Sequence, residues 1–367
     1  MEYGLENSEN ITLHKDVILN YGETSTVEFT LSQEGFSTDI PYLLKVTAIS
    51  ENDDVPDNNI VERYVGWYAD SFERRVLVEE FTTEQCPNCP RAINTLQQCV
   101  NAGYGDQMTI VAHHVGFYTD WLTVEEDKEY LWFFDPTGKE GTYAPAVMLD
   151  RTVFEGSSVP VNSIGYFADF EPILKKAIDI PAFVKIDVSS EIEENNLLNI
   201  SVNMERMPIF NVVNEDARVT IYLIEDEIPH RAQAGISSDT FTHSHVYRAC
   251  LTNIWGDPIE WTGNNSVKEC SVPLDDTWNR EHLSVVAFVN EYNADNVAEC
   301  EVFNSNIAPI GTSGIAPLFT TEIIEEVYYN MSGIRIINPD NGIYLRHTHF
   351  SNGTTKVDKV VFPINRE

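Results

Sequence analysis

The chain has 367 residues, 43% of them hydrophobic and 11% aromatic, which is enough for packed interiors and too long for one ordinary core, so two to four domains are expected. Its 58 Asp and Glu against 23 Lys and Arg leave a formal charge of -35, a field that repels phosphate backbones and anionic membrane surfaces and argues against nucleic-acid binding. No stretch approaches the roughly 18 uninterrupted apolar residues of a membrane helix, and six cysteines are too few for a disulfide scaffold.

The N-terminus lacks a basic segment followed by an apolar one and reads as a chain that starts in mid-domain, as if a leader had been removed. Up to Val65 the segments ITLHKDVIL, STVEFTLS and YLLKVTAIS alternate or cluster apolar and β-branched residues between the turns YGET and GFSTDIP, so residues 1–66 are expected to form a partial immunoglobulin-like β module. The acidic loops Glu51–Asp54 and Asp57–Asn59 read as solvated turns; calcium is the alternative for such oxygen-rich loops, but EF-hand spacing is missing.

From about residue 70 to 180 the pattern becomes α/β. RVLVEEF (Arg75–Phe81) is a buried strand that runs through TTEQ into CPNCP and then into a helix, RAINTLQQCVNAG, whose Ile93, Leu96 and Val100 recur at helical spacing. MTIVAHHV is a second strand, YTDWLTVEEDKEYLWFF is expected to be helical, TYAPAVMLD is a third strand opened by Pro145, and SIGYFADFEPILKKAID closes the unit as a helix. Residues 181–304 supply strands at short intervals and are expected to form a β-sandwich. Residues 305–317 read as a linker and 318–367 as a small β module with Asn-Gly turns. The expected fold class is therefore a multidomain α/β plus all-β chain.

The chemistry centres on Cys86-Pro87-Asn88-Cys89. A CxxC can be a zinc knuckle, a structural disulfide or a redox pair. Zinc needs two further ligands, and Cys99 with the adjacent His113 and His114 does not give a zinc spacing. A strand, a short loop and an immediate helix place the Cys86 sulfur by unpaired N–H groups at the positive end of the helix dipole, which favours thiolate. Cys86 is then the nucleophile and Cys89, one turn on, the buried resolver. His243 and His245 sit two apart, so on a strand they would share a face and could bind a metal, but they read as exposed polar residues. Cys250, Cys270 and Cys300 are open between a sandwich-bridging disulfide and free buried thiols. The sequence contains neither a phosphate-binding glycine loop nor a GxSxG or HExxH motif, and no cofactor or metal is expected.

VLVEEFTTEQCPNC resembles the strand-loop-CxxC element of the thioredoxin family, and TYAPAVMLD resembles that family's later strand with a cis-proline. The resemblance implies a thioredoxin-like domain with a cis Ala144–Pro145 bond opposite Cys86, and it places Glu80 where the family has a buried acid that moves protons for the resolving thiol. Gln85 and the Pro-Asn dipeptide depart from the family pattern and leave the direction of electron flow open. TTEQCPNC, APAVMLDR and the strand-rich block beyond them resemble the outer-membrane-protein-28-related surface proteins of Bacteroidetes-type bacteria, and the tail from YYNMSGIRIINPDNGIYL resembles the C-terminal sorting module of their secreted proteins. These resemblances imply export to the outer membrane, the cell surface or beyond. Two functions follow as expectations: a thiol–disulfide oxidoreductase acting on protein thiols or disulfides, or a surface binding or adhesion protein that uses the fold as a scaffold.

Overall fold

The computed structural model describes residues 2–5, 11–12, 20, 23, 25, 27–49, 59–116, 118–135, 144–153, 157–213, 216–230, 233–238, 241–311, 323–330, 335–336, 342–350 and 355–362. The acidic loop 51–58, linker residues 312–317 and the turn residues 339–341 and 352–353 lie outside the described residues.

At the N-terminal end β1 (Glu2–Leu5), β2 (Ile11–Thr12), β3 (Tyr42–Thr47) and β4 (Ile60–Val65) form an antiparallel sheet in the order β2-β1-β3-β4. Tyr3, Leu5 and Leu44 are its small core. Of the predicted strand 25–32, the described residues 27–32 are not strand; Phe29 and Leu31 instead pack their side chains on that core without joining the ladder.

Next come β5 (Val76–Phe81), α1 (Cys89–Cys99), β6 (Met108–His113), α2 (Lys128–Phe134), β7 (Ala146–Leu149) and α3 (Phe167–Ile178). The helix expected over 118–134 is helical only from Lys128. Asp120 explains the difference: its carboxylate accepts the backbone N–H groups of Glu84 and Leu122, and Thr123 donates its hydroxyl to the His114 carbonyl, so the first half is held as turns.

The remainder is mostly β: β8 (Val184–Ile192), β9 (Leu197–Arg206), the short α4 (Pro208–Val213), β10 (Arg218–Glu225), β11 (Ile228–His230), β12 (Phe241–His243), β13 (Val246–Cys250), β14 (Asp257–Pro258), β15 (Asn265–Pro273), β16 (Leu283–Asn290) and β17 (Val302–Pro309). A last antiparallel sheet holds β18 (Ile323–Asn330), β19 (Arg335–Ile336), β20 (Gly342–Phe350) and β21 (Thr355–Phe362) in the order β19-β18-β20-β21.

One sheet crosses the boundary expected near residue 180. Its order is β17-β16-β10-β13-β6-β5-β7, with β14 on β10, so the α/β unit and most of the following strands share a ladder. The free edge of β6 is covered by β13, with the Ala112 N–H donating to the His245 carbonyl at 2.7 Å; an open edge at that point would otherwise be a pairing hazard. Residues 305–309, expected to begin a linker, are instead ladder residues of β17 paired with β16.

Strand alternation then decides what lies on each face. Val76 and Val78 of β5 face α1 and α3 with Leu96, Phe170 and Leu174. Leu77 and Phe81 face the opposite way, onto α2 and the continuation of the same face on β10 and β16. The second sheet, β15-β9-β8, covers the other face of β10 and β16 through Val184, Ile186, Leu198 and Val202. The whole is a mixed α/β chain that is mostly sheet.

Candidate active site

The loop 82–88 leaves the C-terminal end of β5 and delivers Cys86 and Cys89 to the start of α1. Thr83 shapes this turn: its carbonyl accepts the Cys86 N–H at 3.1 Å and its hydroxyl accepts the Gln85 N–H at 3.0 Å. Cys86 and Cys89 are bonded as a disulfide with Cα atoms 5.4 Å apart. The Cys89 N–H at the helix start donates to Cys86 Sγ at 3.0 Å and, at 3.4 Å, to the Cys86 carbonyl, so the first sulfur shares an amide at the positive end of the helix. Pro90 follows inside the first turn, where its missing N–H costs least. Cys86 is 6% exposed and Cys89 fully buried.

The Ala144–Pro145 peptide bond is cis. Ala144 joins Cys86, Pro87, Asn88 and Tyr118 around a small surface cavity of about 80 Å³, so the start of β7 and the first cysteine share one concavity.

Glu80 lies on the α1 face of the sheet, as the alternation from Val76 and Val78 requires. It is 3% exposed, and its Oε1 has no hydrogen-bond partner. Burial raises its pKa to about 8, so the carboxyl holds its proton at neutral pH. The position is thus a buried acid and not a solvated strand-end carboxylate. Glu79 points into the opposite core, where Arg151 clamps it with Nε and Nη2, each at 2.8 Å. Burial alone would raise the Glu79 pKa, but Arg151 and then His113 outweigh it and hold the carboxyl at about 2.

Several residues of this neighbourhood carry no sequence signal of their own. Gln233, which is 2% exposed, comes from the segment after β11 and donates through Nε2 to the carbonyls of Thr83 at 3.2 Å and Cys86 at 3.1 Å. The Ala234 N–H donates to the Glu84 carbonyl at 2.8 Å. Gly235 has φ +85° and lies so close to Pro87 that an added Cβ would meet the proline carbonyl oxygen at 2.2 Å. One flank of the CxxC turn is therefore closed by a segment 150 residues beyond Thr83 in the chain.

The adjacent histidines separate. His113 sits in the Glu79 core, bonded through Nδ1 to Asp127 Oδ1, and burial against its protonation is outweighed by Asp127 and Glu79, which raise its pKa to about 9. His114 stays with the Glu80 side and bonds through Nδ1 to Asp120 Oδ2 at 2.8 Å. His243, expected to be exposed, is buried with its ring 5.0 Å from that of His114; His245 is half-buried and pairs with Asp226. Cys99, Cys250, Cys270 and Cys300 are free thiols, and among the described residues no three His, Cys, Asp or Glu side chains gather as a metal site.

Residues 140–307, under half of the chain, match the model of the family described as Outer membrane protein Omp28. No curated protein matches the sequence. Among solved structures, HBP35 of Porphyromonas gingivalis is similar at 18% identity and a TM-score of 0.55, covering 80% of this chain and 99% of that one. A protein of Agrobacterium tumefaciens is similar at 15% identity and a TM-score of 0.43, covering 67% of this chain and 98% of that one. The HBP35 likeness agrees with a mixed, mostly β architecture. Among the described residues no helix is long and apolar enough to cross a membrane. The family match supports an extracytoplasmic location, at the outer membrane or the cell surface.

Proposed function

We propose that the protein is an exported thiol–disulfide oxidoreductase with a thioredoxin-like site, acting on protein thiols or disulfides. The observation that carries the reading is the shared concavity of Cys86 and Ala144, with the disulfide at the start of α1 and Pro145 opening β7. The order β5-α1-β6-α2-β7-α3, with β5 paired parallel to β6 and antiparallel to β7, supports the thioredoxin-like reading.

In this reading Cys86 is the nucleophilic sulfur, Cys89 the resolving one, Pro145 shapes the groove and Glu80 holds the proton. From the disulfide form, an incoming substrate thiolate attacks Cys86 Sγ, the S–S bond breaks, and its electron pair goes to Cys89 Sγ, which takes the Glu80 proton. A second substrate thiolate then attacks the substrate sulfur of the mixed disulfide and expels Cys86 as thiolate. The substrate dithiol becomes a disulfide by losing two electrons, and the protein pair gains them; the reverse sequence reduces a substrate disulfide.

The test is an insulin-reduction or disulfide-isomerisation assay comparing the protein with Cys86→Ser. Loss of turnover in the variant is expected, and equal turnover in the two proteins would overturn the enzymatic reading. A second reading, a surface binding protein that uses the fold as a scaffold, is favoured by the near-complete burial of Cys86 and by the Gln233 segment closing its flank. That reading requires a reduction potential below about −300 mV, the range of structural disulfides, and binding that survives removal of the disulfide.

A further inference from the structure

On the α1 face of β5 and β6, starting at Glu80 and Thr82 where the chain leaves β5 for the CxxC loop, lies a second cavity of about 230 Å³. Glu80 forms part of its wall, and the cavity runs past Leu96 and Val100 of α1 to His114, His243 and His245. A cavity of this size with several polar groups has room for several waters, each needing only about 10–15 Å³. We propose that this cavity is the port through which the Cys86–Cys89 pair exchanges protons with solvent, and that His114 is the relay residue between Glu80 and the outside. The proposal rests on the oxidoreductase reading above.

Three observations converge on it. Glu80 is buried with one carboxyl oxygen unpartnered, so a proton leaving it must pass through the polar wall of this cavity or through packed hydrocarbon. His114 is held by Asp120, which also accepts the Glu84 N–H of the CxxC loop, so the relay and the active turn are positioned by one carboxylate. With Nδ1–H donated to Asp120, Nε2 is left to accept and release protons, an arrangement that orients an imidazole in a defined tautomer. Beyond it His243 stands edge-on at 5.0 Å, and His245, paired with Asp226, lies at the half-buried rim. From α1 the cavity is faced by Gln97 and apolar side chains, and from β6 by Ala112, so the titratable groups around it are Glu80, the three histidines and the carboxylates behind them.

The port matters when the reduced pair is oxidised. Cys89 must give up one proton, and below about pH 8 the Glu80 carboxyl already carries one. That proton has to leave through the port before Glu80 can accept the one from Cys89; the substrate disulfide receives the electrons and its leaving thiolate is protonated from solvent.

The experiment is single-turnover oxidation of the fully reduced protein by glutathione disulfide from pH 5 to 10, for the wild type, His114→Gln and Thr242→Trp. Thr242 is exposed and lines the cavity, so a larger side chain there is expected to narrow it from the solvent side. Both variants should be slowed by roughly tenfold or more below pH 8, within the span of general acid–base effects, and should converge on the wild type above it. Added imidazole should restore the rate of His114→Gln. Profiles that match the wild type at every pH, or a uniform slowing that imidazole does not relieve, would overturn the port. Should His114→Gln fail to fold, Thr242→Trp alone decides. A wild-type protein that glutathione disulfide does not oxidise at all would instead defeat the oxidoreductase reading itself.

Discussion

Glu79 and Glu80 are consecutive in β5 yet lie in different cores: Glu79 is salt-bridged to Arg151 beneath α2, and Glu80 is unpartnered beneath α1. One residue of register separates a carboxylate held at about pKa 2 from a carboxyl raised to about 8. The difference is environmental, since desolvation acts on both and only Glu79 has a guanidinium to offset it. A strand that buries two acids on two faces carries a cost that hydrophobic residues would not.

Glu80 should make the fold weaker as pH rises. Its pKa is raised in the native state, so the folded protein binds the proton more tightly than the unfolded chain does. Stability is then unaffected below about pH 4.5, falls as pH climbs toward 8, and is level above that. Glu80→Gln should remove this decline and stabilise the protein at pH 9 by a few kcal/mol, since a tenfold difference in proton affinity between the folded and unfolded chains is worth about 1.4 kcal/mol. Urea unfolding of both proteins at pH 5 and pH 9 measures it; equal pH dependence would show that Glu80 is hydrated in the native state.

Arg151 should be among the least replaceable residues. It is fully buried, clamps Glu79, donates to the Tyr222 hydroxyl at 2.9 Å, and lies over the rings of Tyr130, Phe134 and Phe288 at 4.9–5.2 Å. Arg151→Met leaves the buried Glu79 carboxylate with only His113, whose Nε2 lies 3.4 Å away, to offset it, and should cost about 3–5 kcal/mol. The double variant Glu79→Leu with Arg151→Met should recover much of that loss. A double-mutant cycle by chemical denaturation checks both statements, and additive losses would mean that the pair is not coupled.

His113 titrates with the opposite charge type but in the same direction of stability. Its native pKa is raised from about 6.5 to about 9, so the contribution is complete below pH 6.5 and is lost as pH rises through 9. Asp127→Asn should flatten this alkaline limb while leaving the decline due to Glu80 between about pH 4.5 and 8. Thermal unfolding of the wild type and Asp127→Asn from pH 4.5 to pH 10 checks it: the decline below about pH 6.5 belongs to Glu80 and should be the same in both, and the curves should diverge only above it.

How much of this was legible follows from the range of the interactions. The strand, the CxxC turn, the helix after it, Pro145 and the opposite orientations of Glu79 and Glu80 are all set within a few residues and can be read from spacing. The pairing of β13 with β6 and the contact of Gln233 with Cys86 depend on chain segments more than a hundred residues apart, and no local pattern encodes which edge a later strand will cover. His243 shows the same limit: a polar residue on a short strand reads as exposed, and only the packing of that hairpin against His114 buries it. Residues 302–309 carry alternation but also polar side chains at Asn304, Ser305 and Asn306, which are satisfied by distant backbone groups of Glu73, Val184, Arg75 and Ile186 rather than by solvent.

The segment that closes the CxxC flank yields the last expectation. Gly235 adopts φ +85°, and the nearest atom to any added Cβ is a backbone oxygen of Pro87, which cannot swing aside as a side chain would. Gly235→Ala therefore has to push the segment away from the turn, at a cost of at least about 1–3 kcal/mol for the backbone conformation alone. Gln233→Ala should act on the same contact by a different route, removing the side-chain donor shared by the Thr83 and Cys86 carbonyls, which keep the Cys86 and Cys89 N–H groups at 3.1 and 3.4 Å, at about 1 kcal/mol. In both variants the reduced Cys86 thiol should react faster with iodoacetamide, because the flank that now hides it has opened, while reactivity of the fully buried Cys99 should stay the same. Unchanged Cys86 alkylation in two folded variants would mean that access to the sulfur is controlled entirely from the Ala144 and Tyr118 side.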